Sequence, residues 1–255
     1  MGMGVDEKAP AASISGPTAS ISGRAGEILM EVVLLAAVPL AMGLALVAGF
    51  AQTALLMLLV VTVVLAMFFA GYEAGKPGLR QVMPTLVLAA LAAAGRILFA
   101  AVPDFKPVSA IAIIAGATLG RRNGFMVGAL ATLASNFFFG QGMWSPWQMY
   151  AWGMVGYLGG VLADAGAFED RATGRPRRIA LVAGGLASGA LYGAIINAYG
   201  VLGFVRPLTW PGILAYVAAS VPFDVVHGVA TAVFLAVLYG PWTRRINRVV
   251  RKYGV

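Results

Sequence analysis

The stretch IALVAGGLASGALYGAIINAYG, Ile179–Gly200, decides the fold. It carries no charged side chain and a single amide, Asn197. A membrane-crossing helix needs about 20 mainly apolar residues, and this run supplies them. The same ruler, moved along the chain, finds seven more segments, at 28–49, 52–72, 82–101, 107–119, 124–140, 147–163 and 212–239. Composition agrees. The 255 residues are 60% hydrophobic and 11% charged, and the mean hydropathy is +0.86. Soluble domains sit near 45–50% apolar and about 25% charged. The expected class is all-α, a polytopic membrane helical bundle.

The remainder divides simply. Residues 1–26 are polar and rich in Ser, Ala and Gly, with ASISG occurring at 12–16 and again at 19–23. They read as a disordered cytoplasmic tail, and the apolar core of a signal peptide is missing from them. Residues 27–75 read as an accessory transmembrane hairpin facing lipid, 76–240 as a six-helix core, and 241–255 as a basic cytoplasmic tail. In that tail Ile246, Val249, Val250 and Tyr253 share one helical face, which suits the anionic inner leaflet.

Lysine and arginine orient the bundle, because cytoplasmic loops carry their excess. With the N-terminus inside, only Arg96, Lys106 and Arg206 fall toward the outside, and the other fifteen of the eighteen fall within. Both termini are then cytoplasmic, in a multi-pass protein of the plasma or inner membrane. The net charge of +8 is accounted for by orientation, and no nucleic-acid partner is expected. Cysteine is absent and His227 is the single histidine, so neither disulfides nor a metal centre are expected.

Three outward loops gather Phe105, Gln141, Trp144, Trp147, Gln148, Tyr199 and Trp210, together with Asp104, Lys106 and Arg206. An aromatic girdle accounts for some of these. The run GQGMWSPWQ, 140–148, alternates Gly140, Gln141 and Gly142 with aromatics, and aromatic walls with a few placed polar groups also describe a small-molecule pocket. Asn136 and Asn197 end stripes of small residues at spacing four (Gly124, Gly128, Thr132, Asn136; Gly185, Gly189, Gly193, Asn197). A third stripe runs Ser220, Asp224, Gly228, Ala232. Such stripes let helices approach closely in a membrane, and the two amides at their ends are placed to face a cavity. Arg96 is placed either to pair with Asp104 or to line that cavity. Asp224 and His227, three apart on one face, either bond each other or meet a ligand. A serine or cysteine partner that would make His227 a catalytic base is not expected, and no residue is expected to be catalytic.

From Lys76 to Tyr239 the chain resembles the substrate-binding S component of an energy-coupling factor (ECF) vitamin transporter. The residues that carry the likeness are AxxxA pairs at Ala89/Ala93 and Ala90/Ala94, the turn GATLGRRNGFMVGAL, the run GQGMWSPWQMYAWG and the final PFDVVHG. The GQG run is similar to the signature of a cobalamin-type subgroup, with Ser145 in place of its threonine. The resemblance implies a six-helix protein, here with two extra N-terminal helices, that binds a vitamin on its outer face. It implies docking through Ala89, Ala90, Ala93 and Ala94 onto a transmembrane coupling subunit that carries two ATPase subunits. Ligand contact would fall to Gly140, Gln141, Gly142, Trp144, Trp147 and Gln148, with Asn136, Arg96, Lys106, Asn197 and Arg206 around them. ATP would be used by the partners, since the chain lacks a GxxxxGKS loop, and no cofactor of its own is implied. Other readings of the residues are an S component for another vitamin or precursor, such as thiamine or a queuosine precursor, and a proton-coupled carrier or membrane enzyme using Asp224 and His227.

Overall fold

The structure, a computed structural model, describes residues 21–48, 53–74, 78–170 and 173–253. Among the described residues are eight helices: α1 (Ile21–Ala48), α2 (Thr53–Ala74), α3 (Leu79–Leu98), α4 (Val108–Leu119), α5 (Arg121–Phe139), α6 (Ser145–Asp164), α7 (Arg178–Phe204) and α8 (Trp210–Tyr253). Among the described residues there is no strand, only an isolated bridge between Glu169 and Pro176. The fold is all-α. Two boundaries differ from expectation. Of the tail expected over 1–26, residues 1–20 lie outside the described residues and 21–26 belong to α1. The tail expected from 241 is not separate either, because α8 runs through Pro222 and Pro241 for 44 residues. At 1.5 Å per residue that is about 66 Å, twice the thickness of a bilayer's hydrocarbon core. Among the described residues, α7 and α8 are the two helices long and apolar enough to cross a membrane.

The small-residue stripes set the packing. A Cβ on Gly189 would meet Asp224 O at 2.5 Å and Gly228 N at 2.6 Å, and one on Gly185 would meet the Ala232 backbone at 2.6 Å. Stripe therefore lies on stripe, α7 against α8. In the same way Gly124 and Gly128 of α5 lie against the backbone of Gly156 and Trp152 on α6. Close backbone approach of this kind yields dispersion contact along each crossing. Between α4 and α5 a single residue, Gly120, reverses the chain at φ +91°, a region open to glycine at no steric cost.

This connectivity sorts the residues by end. The C-terminal ends of α3, α5 and α7 meet the N-terminal ends of α4, α6 and α8, and that end carries Arg96, Lys106 and Arg206. The opposite end carries Arg80, Arg121, Arg122, the 173–178 loop and the arginines of late α8. Between the two ends the outer faces are apolar. Val221, Val225, Val229, Val233 and Val237 form a stripe along α8, each between 43% and 63% exposed. Leu86, Val87 and Leu91 on α3 are exposed likewise.

One side of the α1–α2 hairpin packs on the core, and Val32, Val33, Leu40, Leu59, Val63 and Met67 leave its other side apolar and exposed. Leu35, Val38, Val61, Val64 and Phe68 are buried in one cluster with Phe125, Met126, Tyr150 and Tyr157 of α5 and α6. Glu31 on α1 clasps the core. It accepts from Arg121 Nε at 3.3 Å and from Tyr157 Oη at 3.0 Å, and it pairs with Arg122. Both arginine side chains stay partly exposed, 27% and 39%, and that screening limits the gain. Glu31→Ala should lower stability in detergent by about 1–2 kcal/mol and expose the hairpin to protease before the core. Unchanged melting and unchanged cleavage would remove the clasp.

Candidate functional site

A buried polar network fills the end that carries Arg96. The Arg96 side chain comes from the last turn of α3 and is 8% exposed. Its Nη1 donates to Ser135 Oγ at 2.7 Å and to Asn136 Oδ1 at 2.6 Å, both on α5. The guanidinium lies 4.6 Å from the Phe139 ring centre and 4.8 Å from that of Trp152, within cation–π range. Asn136 passes the network on, its Nδ2 donating to Ser145 Oγ at 3.1 Å and to Gln148 Oε1 at 3.0 Å. Ser145 Oγ donates to Gln141 Oε1 at 2.8 Å and accepts from the Gly142 amide. Gln141 Nε2 is tied back to Leu133 O at 3.0 Å. The GQG turn is thus fastened to the first residue of α6, through the Ser145 hydroxyl and through the Ser145 amide, which donates to Gly142 O at 2.9 Å.

Asp104 does not pair with Arg96, and among the described residues no carboxylate lies within ion-pair distance of that guanidinium. Asp104 sits in the 102–106 loop at φ +51° and acts on Arg96 only at longer range. Burial pushes its own carboxyl above the ordinary aspartate range, against a smaller pull from Lys106. Arg96 is therefore a buried cation held by neutral partners.

A second group lies beneath it. Trp152 Nε1 donates to Ser109 Oγ at 3.1 Å, and Ser109 Oγ stands 2.7 Å from His227 Nε2. Tyr192 stacks on His227 at 4.5 Å and tilts against Trp152 at 4.6 Å. Two expectations are corrected here. Asp224 and His227 do not bond each other. Asp224 accepts from Asn197 and Ser220, both at 3.1 Å, while His227 turns to α4. A serine does stand beside His227, from a helix 118 positions away in sequence.

The candidates named from sequence divide clearly. Arg96, Asn136, Gln141, Gly142 and Gln148 converge in one network. Asn197 joins a neighbouring one with Ser220 and Asp224. Gly140 forms the turn after α5 at φ +94°. Lys106 and Arg206 serve helix ends instead. Lys106 Nζ donates to the carbonyls of Phe99, Ala100 and Val102, and Arg206 to those of Leu202 and Val205, the usual role of a cation past a C-terminus. The tryptophans do not form one wall. Trp144 is 41% exposed, whereas Trp147 is buried against Tyr199 with ring centres 5.7 Å apart. Its Nε1 is a buried donor with no acceptor among the described residues. On α3, Ala89 and Ala93 pack inside the chain, so only Ala90 and Ala94 are presented outward. Ser109, Ser135, Trp152 and Tyr192 were not legible as members of the site. The adjacency of Ser135 to Asn136 was the nearest signal.

Residues 76–250 match DUF6580, a family of unknown function. The chain belongs to that family. The DUF6580 match covers α3 to most of α8, and so contains the whole polar network and leaves out α1 and α2. No curated protein and no solved structure matches the chain.

Proposed function

We propose that this DUF6580 chain is the ligand-capturing membrane subunit of an ECF-type vitamin transporter. In this reading eight helices lie in the bilayer, with both termini in the cytoplasm, and α3–α8 form the binding core. The observation that carries it is Arg96, a buried guanidinium with no anionic partner among the described residues, beneath a turn rich in amides. A charge in such a place is costly, and a ligand that brings an anion would offset that cost. The cargo is a corrinoid. Its peripheral amides suit Gln141, Gln148 and Asn136, and its phosphodiester suits Arg96. The chain carries out no chemistry of its own. Release inside depends on a coupling subunit, which α3 would meet through Ala90 and Ala94, and on two ATPase subunits.

Titration of the detergent-solubilised full chain with cyanocobalamin, thiamine and riboflavin tests this. Saturable tight binding of the corrinoid is expected, with colour retained through purification. Binding of a different vitamin would remove the cargo and keep the class. Binding of none, with nothing found by mass spectrometry of the purified protein, would remove both.

A second reading is a proton-coupled carrier or membrane enzyme. The Ser109–His227 pair and the Asp224 cluster favour it. Proteoliposomes separate the two. A carrier moves substrate without ATP or partners, in a manner driven by a proton gradient and lost on Asp224→Asn.

A further inference from the structure

A groove of about 770 Å³ opens between α3 and late α8, at the end of the bundle opposite Arg96. Val87 and Leu91 form part of one wall, and Trp242 and Ile246 part of the other. Two cations line it as well, Arg80 from the first turn of α3 and Arg245 from α8. Among the described residues neither has a carboxylate within ion-pair distance.

We propose that this groove binds an anionic phospholipid, with an acyl chain along Val87, Leu91, Trp242 and Ile246 and the phosphate between Arg80 and Arg245. Three observations select a lipid. From Arg80 to Leu91 the α3 wall is about 16 Å long at 1.5 Å per residue, close to half of the ~30 Å hydrocarbon core. That is the depth of one leaflet. The cations stand at the end where the chain gathers its basic residues, which is where a phosphate of that leaflet would lie. An indole beside the headgroup level, here Trp242, is the usual interfacial anchor. A partner helix would need acidic side chains to match both arginines and would extend past the depth of a single leaflet.

The proposal is independent of the cargo at the other end. The full chain, purified in detergent and mixed with equal amounts of phosphatidylglycerol and phosphatidylcholine, is to be read by native mass spectrometry. Two basic residues at an anionic surface correspond to about a thirtyfold preference for phosphatidylglycerol. The double variant Arg80→Gln/Arg245→Gln should bring the ratio close to one. Val87→Trp, which fills the groove, should reduce retention of both lipids. Equal retention by the unaltered chain would overturn the proposal, as would a preference that survives the double variant. Displacement of the lipid by millimolar inorganic phosphate would overturn it too, because the site would then take a free anion. So would retention of neither lipid, the result expected of a groove shaped for a protein helix.

Discussion

Gly156→Val should leave little folded protein. Gly156 sits on α6 where that helix crosses α5, and a Cβ placed on it would run into the carbonyl oxygen and carbonyl carbon of Gly124. The reverse holds as well, since a Cβ on Gly124 would meet the Gly156 carbonyl. Gly116 of α4 also lies against Gly156 O and the backbone of Gly160. Three helices therefore meet backbone to backbone, with no flexible side chain at the contact to give way. Overpacking a close-packed site costs about 1–3 kcal/mol where neighbours can adjust, and more where the backbone must move. Here α4, α5 and α6 must all move, so a loss above about 3 kcal/mol is expected. Folded proteins hold only about 5–15 kcal/mol in total. Gly71→Val is the control, because a Cβ on Gly71 meets nothing within 4 Å. Size-exclusion profiles after stepwise heating in detergent give the reading. A Gly156→Val variant that elutes and melts like Gly71→Val would show that α5 and α6 do not cross there.

The same crossing shows why the fold was legible and where legibility stopped. Helix number and position follow from length and hydropathy, which are local, and all eight segments appear as helices, with bounds within a few residues except at the start of α1 and the end of α8. The stripes at spacing four were visible too, because a helix turns a fixed spacing into a face. The end of α8 was missed for a physical reason. TRRINRVVRKY has no hydropathy signal, and Pro241 reads as a stop, yet a proline is tolerated in a helix whose neighbours absorb the lost bond. Glu31 was missed although its signal was present. It is the one carboxylate within the first apolar segment, and an ionisable group in such a place asks for a partner. At the site, topology was enough to bring Arg96, Asn136 and Gln148 to one end. The phase of each helix was needed for the rest, and phase is set by packing. Ser145 at the start of α6 faces the GQG turn, so Trp147, two positions on, turns to the opposite side and into the core. Ser109 and His227 come from helices far apart in sequence, and no local pattern relates them.

Arg96→Met should weaken ligand binding by about thirtyfold or more and leave the bundle as stable as before, or more so. Removing a buried charge usually does the opposite when it breaks an ion pair, costing about 3–5 kcal/mol through the partner left behind. Among the described residues Arg96 leaves no charged partner behind. It gives up hydrogen bonds to Ser135 Oγ and Asn136 Oδ1 and the faces of Phe139 and Trp152. Ser135 keeps its bonds to Ala131 O and Thr132 O, and Asn136 keeps its two donor bonds to Ser145 and Gln148. The unpaired Asn136 Oδ1 costs about 1–3 kcal/mol. Against this stands the desolvation of the guanidinium, several kcal/mol for an ion in a low-dielectric interior, which methionine escapes. The two rings still pack on the thioether, which favours aromatic contact. The net change in stability is therefore near zero or positive, while affinity for an anionic ligand falls by about 2–5 kcal/mol, the range for truncating one side of a buried charged pair. That is roughly thirtyfold at the least. Such a divergence, binding lost while melting holds, marks a charge kept for a ligand. Parallel thermal melts and corrinoid titrations of wild type and variant provide the measurement. If melting drops by 3 kcal/mol or more while binding persists, Arg96 is a strut of the fold, and the anionic ligand argued for it falls away.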